Sequence, residues 1–316
     1  MKRVLLTGAT GFVGANLANK LIEDGHKVHL LLRKGYKTWR IEHLLPHVRI
    51  YPINLMDRDK VAETVNHIRP DWVFHLAAYG AYSWQEDLSL AINTNYLSTV
   101  NLVNACLKTG FEAFINTGSS SEYGLKDHAP AENEYIDPNS YYAVTKAAAT
   151  LFCRYTAQLN KSPILNLRLY SVYGAFEEPN RLIPAVIMNG LDGKLPPLVN
   201  PDIGRDFIFI DDVISAYLLA ASLASSLSPG EVFNVGTGIQ TSIREVVAIS
   251  REVFDIKTEP VWNSMPNRSW DANIWIANNS KLLSLGWAPQ FDFKTGLLRT
   301  IDWFEQNSDL IKKIYH

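Results

Sequence analysis

The stretch VLLTGATGFVG, residues 4–14, decides the fold of this 316-residue chain. An apolar segment typical of a buried strand runs directly into a turn with three regularly spaced glycines, and helical sequence follows. Glycine permits a tight turn and lets backbone N–H groups at a helix start approach a pyrophosphate. The stretch alone is compatible with a plain strand-to-helix turn. Because a second predicted strand follows the helix at the expected distance, it also predicts a dinucleotide-binding unit. The candidate contacts are Gly8, Thr10, Gly11, Phe12, Val13 and Gly14.

Apolar strands alternate with helical segments along the first half of the chain. We predict strands at 4–8, 27–33, 48–53, 72–78, 113–118 and 163–169, and helices at 12–24, 58–68, 88–109 and 140–159. Because the strands are apolar on both faces, the pattern predicts an α/β fold with a Rossmann-type, doubly wound parallel sheet.

The second half of the chain has a different character. Beyond about residue 174 it contains loop-like, proline-rich segments such as PNRLIP (179–184), and then helical segments near 241–254 and 292–306. This change predicts a smaller C-terminal substrate-binding cap. The predicted domains are 1–174 plus about 205–238 for the dinucleotide, and about 175–204 plus 239–316 for the cap.

Composition excludes several classes of function. The formal net charge is −2 and the basic residues are scattered, so nucleic-acid binding is not expected. Cys106 and Cys153 lie in apolar helical sequence and are expected to be buried thiols, and no Cys/His spacing indicates a metal. The longest later apolar run, 213–224, is too short to span a bilayer, so we expect no membrane partner and a cytoplasmic location.

The end of the second strand bears on the choice of nucleotide. A protein that binds NAD usually has Asp or Glu there to hold the ribose 2′-hydroxyl. This chain has Leu32 followed by Arg33, and an arginine can pair with a 2′-phosphate. The alternative is an ordinary solvated arginine. NADP(H) is therefore favoured as the cofactor, with NAD(H) as the alternative.

The segment SYYAVTK, residues 140–146, contains Tyr142 and Lys146, which are four residues apart on one face of a predicted helix. A nearby ammonium favours the phenolate form, so Tyr142 can exchange a proton with a sugar hydroxyl or a ketone. Lys146 can also hold the nicotinamide ribose. The spacing alone is common, and its significance comes from its position after the glycine turn and the serine run at 119–121.

With these features the chain resembles the extended short-chain dehydrogenase/reductases of the nucleotide-sugar epimerase/dehydratase superfamily. The matching motifs run nearly end to end: GATGFVG (8–14), HLAA (75–78), Asn95, the serine run before Tyr123, Tyr142 with Lys146, RLYSVYG (168–174), GRDFIFIDDV (204–213), FNVGTG (233–238), Arg268 with Asp271, and LGWAP (285–289). The resemblance implies further cofactor contacts at Asn54, Leu55, Leu76, Ala77, Ala78 and Asn95. Asn54 replaces an aspartate often found beside the adenine in relatives.

Aligned on its Tyr-Gly, the segment TGSSSEYG (117–124) assigns the family's catalytic Ser/Thr to Ser119. In 4,6-dehydratases of this superfamily the next two residues supply an acid and a base. Ser120 and Ser121 can do neither near neutral pH, and Glu122 lies one place too late, where an extended segment would turn it to the other face.

Because the serine run disfavours dehydratase activity, the resemblance leaves three interpretations of the protein's function. The preferred one is NADPH-dependent reduction of the 4-keto group of a nucleoside-diphosphate (NDP) 4-keto-6-deoxyhexose, which the serine-rich motifs and Arg33 favour. The alternative is an NAD(P)-dependent NDP-sugar 4-epimerase. A non-catalytic dinucleotide sensor is disfavoured because Ser119, Tyr142 and Lys146 are all present.

The resemblance also implies substrate contacts in the cap and beside the catalytic residues. Arg205 and Arg268 would bind diphosphate and ribose, with Asp271 as a ribose partner. The other candidates are Arg181, Tyr79, Tyr82, Ser120, Ser121 and Ser171. Each arginine could instead form a surface salt bridge, and His75 is interpreted as a packed strand residue. A homodimer through the 88–109 and 140–159 helices is expected from the family.

Overall fold

The computed structural model describes residues 1–82, 84–266 and 272–315. The chain divides into two compact units. Unit 1 comprises Met1–Gly124, Glu132–Leu169 and Ile214–Asn234, and unit 2 comprises Leu125–Ala131, Tyr170–Val213 and Val235–His316.

The strands and helices alternate in the first half of the chain, as predicted. The strands are β1 (Arg3–Thr7), β2 (Lys27–Leu32), β3 (Arg49–Pro52), β4 (Trp72–His75), β5 (Ala113–Ser119), β6 (Ile164–Leu169), β7 (Ser171–Tyr173), β8 (Gly204–Arg205), β9 (Phe207–Phe209), β10 (Val232–Val235) and β11 (Thr241–Ser242). The helices are α1 (Phe12–Glu23), α2 (Arg58–Ile68), α3 (Leu88–Ala91), α4 (Ser98–Thr109), α5 (Tyr141–Asn160), α6 (Leu182–Leu191), α7 (Ile210–Leu223), α8 (Ile243–Val253), α9 (Ser280–Leu283), α10 (Phe293–Gln306) and α11 (Ser308–Tyr315). A π-helical segment, Ile92–Leu97, joins α3 to α4.

Unit 1 is built on a seven-stranded sheet in the order β10-β6-β5-β4-β1-β2-β3. Neighbouring strands from β3 to β6 pair in parallel. The order reverses between β1 and β4, and in such sheets ligands bind beyond the carboxyl ends of the strands at this point. The Rossmann-type parallel sheet predicted from the sequence is confirmed.

One part of the core of unit 1 lies between the sheet and helices α2, α4 and α5. Val73 and Phe114 on the sheet are fully buried together with Leu102 on α4, and a fully buried side chain of this size stabilises the fold by about 2 kcal/mol. Cys106 and Cys153 are also fully buried and are free thiols, as predicted. Burial raises the pKa of both thiols, so they act as apolar core residues.

Unit 2 contains two small sheets, with β7 parallel to β9 and β8 antiparallel to β11. The prediction that PNRLIP is loop-like was wrong, because α6 begins within it at Leu182. Pro184 lies in the first turn of this helix, where a missing N–H breaks no helical hydrogen bond. The apolar run at 213–224 lies mainly in α7, and no helix in the described ranges has the length and apolar character needed to cross a bilayer.

Candidate active site

The glycine turn after β1 fits tightly against the loop after β4. Gly8 has φ +75°, and a Cβ placed on it would lie 2.5 Å from the carbonyl carbon of Leu76. A Cβ on Gly14 would lie 2.2 Å from the Gly8 oxygen. Only glycine is therefore compatible with this approach of the two backbones, and the Gly11 N–H closes the turn on the Gly8 oxygen at 3.0 Å.

This turn fits a dinucleotide pyrophosphate. No side chain caps the N-terminus of α1, whose N-cap is Gly11, and its first turn carries no acidic side chain. The unbonded N–H groups of a helix start, together with the helix dipole, attract a phosphate group. Thr10, Phe12 and Val13 flank the N-cap, so the predicted contacts in the turn are grouped at the switch point of the sheet.

A hydrogen-bonded chain joins the ends of β1 and β4. Thr7 Oγ1 lies 2.7 Å from His75 Nδ1 and accepts the Ala77 N–H at 3.2 Å, while His75 Nε2 lies 2.9 Å from Thr99 Oγ1. His75 is 2% exposed, and burial, with the charge of Lys146, lowers its pKa to about 3. The interpretation of His75 as a packed strand residue is confirmed.

Asn95, expected from the resemblance to contact the cofactor, links two parts of unit 1. It lies in the π-helical segment, and its side-chain oxygen accepts the Tyr79 N–H at 2.8 Å. Its amide donates to the Tyr79 oxygen at 2.7 Å and to Thr145 Oγ1 at 2.8 Å. Both amide hydrogens are thus used within the protein, and Asn95 fixes the loop after β4 to α5.

Tyr142 lies in the first turn of α5, whose N-cap Ser140 accepts the Ala143 N–H at 3.2 Å. It packs against Gly80 in the loop after β4, where an added Cβ would lie 3.3 Å from the Tyr142 Cβ. Gln85 holds this loop by accepting the N–H groups of Gly80 at 2.8 Å and Tyr82 at 3.4 Å. The loop thus borders the proposed proton donor, and Tyr82 in it stacks on Trp84 with ring centroids 4.8 Å apart.

Lys146 lies one turn after Tyr142 and is 3% exposed. Burial lowers the pKa of Lys146 from 10.5 to about 8, while the negative charge of Glu122 opposes that effect. The ammonium is therefore the main form at neutral pH, held in a site with little water. A phenol and an ammonium on one helix face form an acid–base pair that can exchange a proton with a hydroxyl or a carbonyl.

The serine run lies at the end of β5, where α5 packs against it. Ser119 Oγ lies 3.1 Å from Ser121 Oγ and accepts the Ser121 N–H at 3.2 Å. Both Ser119 and Ser120 are 7% exposed. Ser119 and the Tyr142–Lys146 pair thus lie on directly packed elements of unit 1.

The expected geometry of Glu122 was wrong. Residues Ser120–Tyr123 form a 3-10 helix rather than an extended segment. Glu122 is fully buried and accepts from the Ser119 N–H at 2.9 Å, Thr150 Oγ1 at 3.0 Å and Arg168 Nε at 2.8 Å. The functional expectation for Glu122 is unchanged, since a carboxylate held in this way is not positioned to take a proton from a substrate.

The predicted nucleoside contacts follow β2 and β3. Leu32 is 3% exposed, and Arg33 after it is exposed to solvent. Asn54 accepts the Met56 N–H at 3.0 Å, and the Leu55 oxygen accepts from Asn101 at 3.0 Å. Asn54 thus stabilises its own turn.

Sequence reasoning missed Arg40, which is 7% exposed and donates to the Thr10 oxygen at 3.3 Å. Arg40 therefore stabilises the glycine turn through the backbone oxygen of Thr10. No motif or spacing in the sequence marks this contact, because the two residues lie 30 positions apart.

The predicted substrate residues of unit 2 make local contacts. The Ser171 N–H donates to the Asp206 oxygen at 3.0 Å, and Arg181 lies 3.5 Å from Glu177. Arg205 donates to the oxygens of Gly204 at 2.7 Å and Ala272 at 3.3 Å. Arg268 and Asp271 lie outside the described residues, and the substrate roles of this group stay predictions.

Comparison with known proteins identifies the family and several relatives of this chain. The profile of the family described as "NAD dependent epimerase/dehydratase family" matches residues 4–236. A UDP-glucose 4-epimerase of Mycolicibacterium smegmatis is 28% identical over 319 residues, which cover 97% of this chain and 99% of that protein.

Two further proteins extend the comparison. A trifunctional UDP-glucose 4,6-dehydratase/UDP-4-keto-6-deoxy-D-glucose 3,5-epimerase/UDP-4-keto-L-rhamnose-reductase of Arabidopsis thaliana is 26% identical over 323 residues, covering 98% of this chain. This chain spans about half of that plant protein, 48% of its length. The crystal structure of a UDP-glucuronic acid 4-epimerase from Bacillus cereus, in complex with UDP-glucuronic acid and NAD, is 27% identical with a TM-score of 0.83, and the match covers 96% of this chain and 99% of that one.

The buried ammonium of Lys146 predicts a measurable effect on stability. A fall in pKa from 10.5 to about 8 means that folding disfavours the charged form by roughly 3 kcal/mol below pH 8. Between pH 8 and 10.5 the unfolded chain binds the proton more readily, so the contribution of this group to stability rises with pH there. Lys146→Met should therefore be more stable than the wild type at pH 7, by up to about 3 kcal/mol, and this advantage should shrink towards pH 10.5.

Urea unfolding of both proteins between pH 7 and 10.5, without cofactor, checks this expectation. Lys108→Met is the matched control, because Lys108 is exposed on α4 and its removal should leave stability nearly unchanged at every pH. A Lys146→Met protein that is less stable at pH 7, or a difference that does not vary with pH, would contradict it.

Proposed function

The chain belongs to the NAD dependent epimerase/dehydratase family, and we propose that it reduces the 4-keto group of an NDP-4-keto-6-deoxyhexose with NADPH. It is an NAD(P)-dependent enzyme of the extended short-chain dehydrogenase/reductase type. The preference for NADPH, the keto-sugar substrate and the roles of individual residues are the proposal.

The observation that carries the proposal is the turn after β5. Ser119 is followed by Ser120 and Ser121, which cannot act as general acid and base near neutral pH. The nearest acid, Glu122, is fully buried and holds Ser119, Thr150 and Arg168. This turn therefore favours chemistry at C4 alone over removal of a C5 proton and loss of the C6 hydroxyl.

The side chains of unit 1 suit the reduction of a carbonyl. When bound, the reduced nicotinamide supplies a hydride to the carbonyl carbon. Tyr142 then donates its phenolic proton to the new alkoxide, and Ser119 donates a hydrogen bond to the same oxygen as negative charge develops. The Lys146 ammonium stabilises the tyrosinate that remains and holds the nicotinamide ribose.

The preference for NADPH is supported by the end of β2. Leu32 is buried and offers no acceptor for ribose hydroxyls, and the exposed Arg33 follows it. An arginine here suits the 2′-phosphate, which it can bind with two parallel hydrogen bonds.

A nucleotide-sugar substrate is supported by the names of the relatives, which act on UDP sugars. We propose Arg181, Arg205, Arg268 and Asp271 as contacts of its diphosphate and ribose, and Tyr79, Tyr82 and Ser171 as contacts of its hexose. We also keep the predicted division of the chain into a dinucleotide-binding domain and a substrate-binding cap as part of the proposal.

A second candidate is a 4-epimerase that uses tightly bound NAD. Its support is that the M. smegmatis relative and the B. cereus structure are both named as 4-epimerases, the latter in complex with NAD. The same Ser119, Tyr142 and Lys146 would serve that reaction. The cofactor balance separates the two, because a reductase consumes NADPH from solution and an epimerase restores its own NAD.

The first test mixes the protein with NADPH and a UDP- or dTDP-4-keto-6-deoxyglucose and follows absorbance of the reduced nicotinamide. We expect one NADPH oxidised per sugar reduced. Tyr142→Phe should lower kcat by about two to four orders of magnitude, and Ser119→Ala by about tenfold or more. Ser121→Ala, the matched control, should change kcat little.

Two results would contradict this reaction. Interconversion of UDP-glucose and UDP-galactose without added nucleotide, and without net NADPH oxidation, would indicate the epimerase. Incorporation of deuterium at C5 of a 6-hydroxylated sugar nucleotide in heavy water would indicate the dehydratase.

Arg33 supplies the test of nucleotide choice. Because Arg33→Ala removes a group expected to bind only the 2′-phosphate, it should raise the KM for NADPH at least about tenfold and leave the KM for NADH nearly unchanged. Lys34→Ala is the neighbouring control. Equal effects of Arg33→Ala on both nucleotides, or a wild-type preference for NADH, would assign the site to NAD.

We also propose that the protein is a homodimer, on the strength of an exposed apolar stripe on unit 1. On α5, Val144, Leu151, Tyr155 and Leu159 are 49–67% exposed and recur every four or seven residues, so they share one face. The neighbouring segment that contains α3 exposes Leu88, Leu90, Ile92 and Leu97. A stripe of this kind on two adjacent helices suits a second copy of the chain, which would bury the same residues from both sides.

Leu151→Glu combined with Tyr155→Glu should convert the dimer to a monomer, because each charge would be buried without a partner at the interface. Light scattering coupled to size-exclusion chromatography measures the mass. Leu298→Glu, at a comparably exposed leucine on α10 of unit 2, is the control and should remain dimeric. A wild-type mass of one chain at micromolar concentration would refute the dimer.

A further inference from the structure

Glu122 is fully buried directly behind the proposed catalytic serine. Its Oε1 accepts the Ser119 N–H at 2.9 Å and Thr150 Oγ1 at 3.0 Å, and its Oε2 accepts Arg168 Nε at 2.8 Å. The same carboxylate is therefore bonded to the end of β5, to α5 and to β6. A carboxylate placed in a core without water needs such partners, and here they come from three separate elements.

The contact with Thr150 shows where Glu122 lies relative to Lys146. Lys146 and Thr150 are four residues apart on α5 and lie on one helix face. The negative charge of Glu122 raises the pKa of Lys146 against the effect of burial. Glu122 is thus bonded to the serine and electrostatically coupled to the lysine of the same site.

The surroundings of Glu122 are shaped to fit it. A Cβ on Gly118 would lie 2.7 Å from Glu122 Oε1 and 3.1 Å from the Arg168 Cγ, so a side chain there would displace the pair. Arg168 is 1% exposed, donates to the Glu132 oxygen at 3.3 Å, and stacks over the Tyr123 ring at 4.4 Å. Both charges of the pair are therefore held by contacts beyond their own ion pair.

We propose that Glu122 is a positioning residue of the active site, which fixes Ser119 through its backbone N–H and stabilises the Lys146 ammonium through its charge. The inference rests on the roles proposed above for Ser119 and Lys146. It explains why an acid is present in the serine run although it does not exchange protons with substrate. Its carboxylate acts from inside the core, through two residues that would touch the reacting groups.

Glu122 and Lys146 also interact with the ionisable groups of Cys153, His75 and Arg168. Glu122 and Cys153 raise the pKa of Lys146, and the charge of Lys146 in turn lowers that of His75 on β4. Arg168 on β6 forms an ion pair with Glu122. Since His75 is neutral near pH 7 and burial raises the pKa of Cys153, Glu122 is the negative charge available to Lys146.

The test is the titration of Lys146 itself, followed by NMR of protein labelled with ¹³Cε-lysine and assigned with Lys146→Met. Glu122→Gln keeps the shape of the side chain and removes its charge, so the midpoint of Lys146 should fall by about one pH unit. Thr150→Val, the matched control, removes a hydrogen bond to the same oxygen and keeps the charge, so it should leave the midpoint nearly unchanged. Glu122→Asp retains a carboxylate, so its Lys146 midpoint should lie close to that of the wild type.

Equal Lys146 midpoints in the wild type and in Glu122→Gln would overturn the proposal. If Glu122→Gln alone fails to fold because Arg168 loses its partner, the double variant Glu122→Gln/Arg168→Met removes both charges. The midpoint should still fall in the double variant, though by less than in Glu122→Gln, because loss of the Arg168 charge acts in the opposite direction to loss of the Glu122 charge. An unchanged midpoint there would also overturn the proposal.

A kinetic measurement completes the test. In Glu122→Gln the alkaline limb of the kcat/KM profile for the keto sugar should move to lower pH together with the NMR midpoint. In the control Thr150→Val the alkaline limb should not move. An alkaline limb that does not move in Glu122→Gln would count against the proposal. The NMR measurement needs neither substrate nor turnover, so the positioning role can fail independently of the reaction, and an absence of NADPH oxidation by the wild type would count against the proposed function alone.

Discussion

The close approach of two backbone segments at Gly8 governs the geometry of unit 1. A side chain at this position would come within 2.5 Å of the loop after β4, so the glycine turn and that loop pack backbone to backbone. Thr7 strengthens the same junction through its bonds to Ala77 and His75. Because the loop continues to Gly80, which packs on Tyr142, the place for the pyrophosphate and the proposed proton donor are parts of one contiguous structure.

Helix α5 is held to this structure by polar contacts at two places. Thr145 receives a hydrogen bond from Asn95, and Thr150 donates one to Glu122. Between these two threonines lies Lys146, whose buried charge opposes folding. The buried Lys146 ammonium thus lowers the stability of the folded protein at the residue proposed to assist proton transfer. Such a cost is common where function requires an unfavourable group.

Much of the fold could be predicted because it depends on short-range patterns. Strands that are apolar on both faces and a glycine turn between strand and helix are visible in the sequence alone. The helical spacing of Tyr142 and Lys146 is equally local. The turn after β5 carries a local signal that was missed, because Ser119 and Glu122 form a capping box three residues apart. The burial of Glu122 against Thr150 and Arg168 was not predictable, since these residues are 28 and 46 positions away. The support of Thr10 by Arg40 and the two-sided bonding of Asn95 depend on tertiary contacts in the same way.

The π-helical segment Ile92–Leu97 has a consequence for how this chain can vary. A π-turn amounts to one residue added to an α-helix, and it rotates everything after it by about 100° relative to what precedes it. In this chain Asn95 is buried within the segment, Leu88 before it is exposed, and Leu102 after it is buried in the core. Deleting one residue here would restore a regular helix but turn one of these faces away from its neighbours. The segment therefore fixes the length of this helical region, so that insertions and deletions are tolerable only in the loops on either side of it.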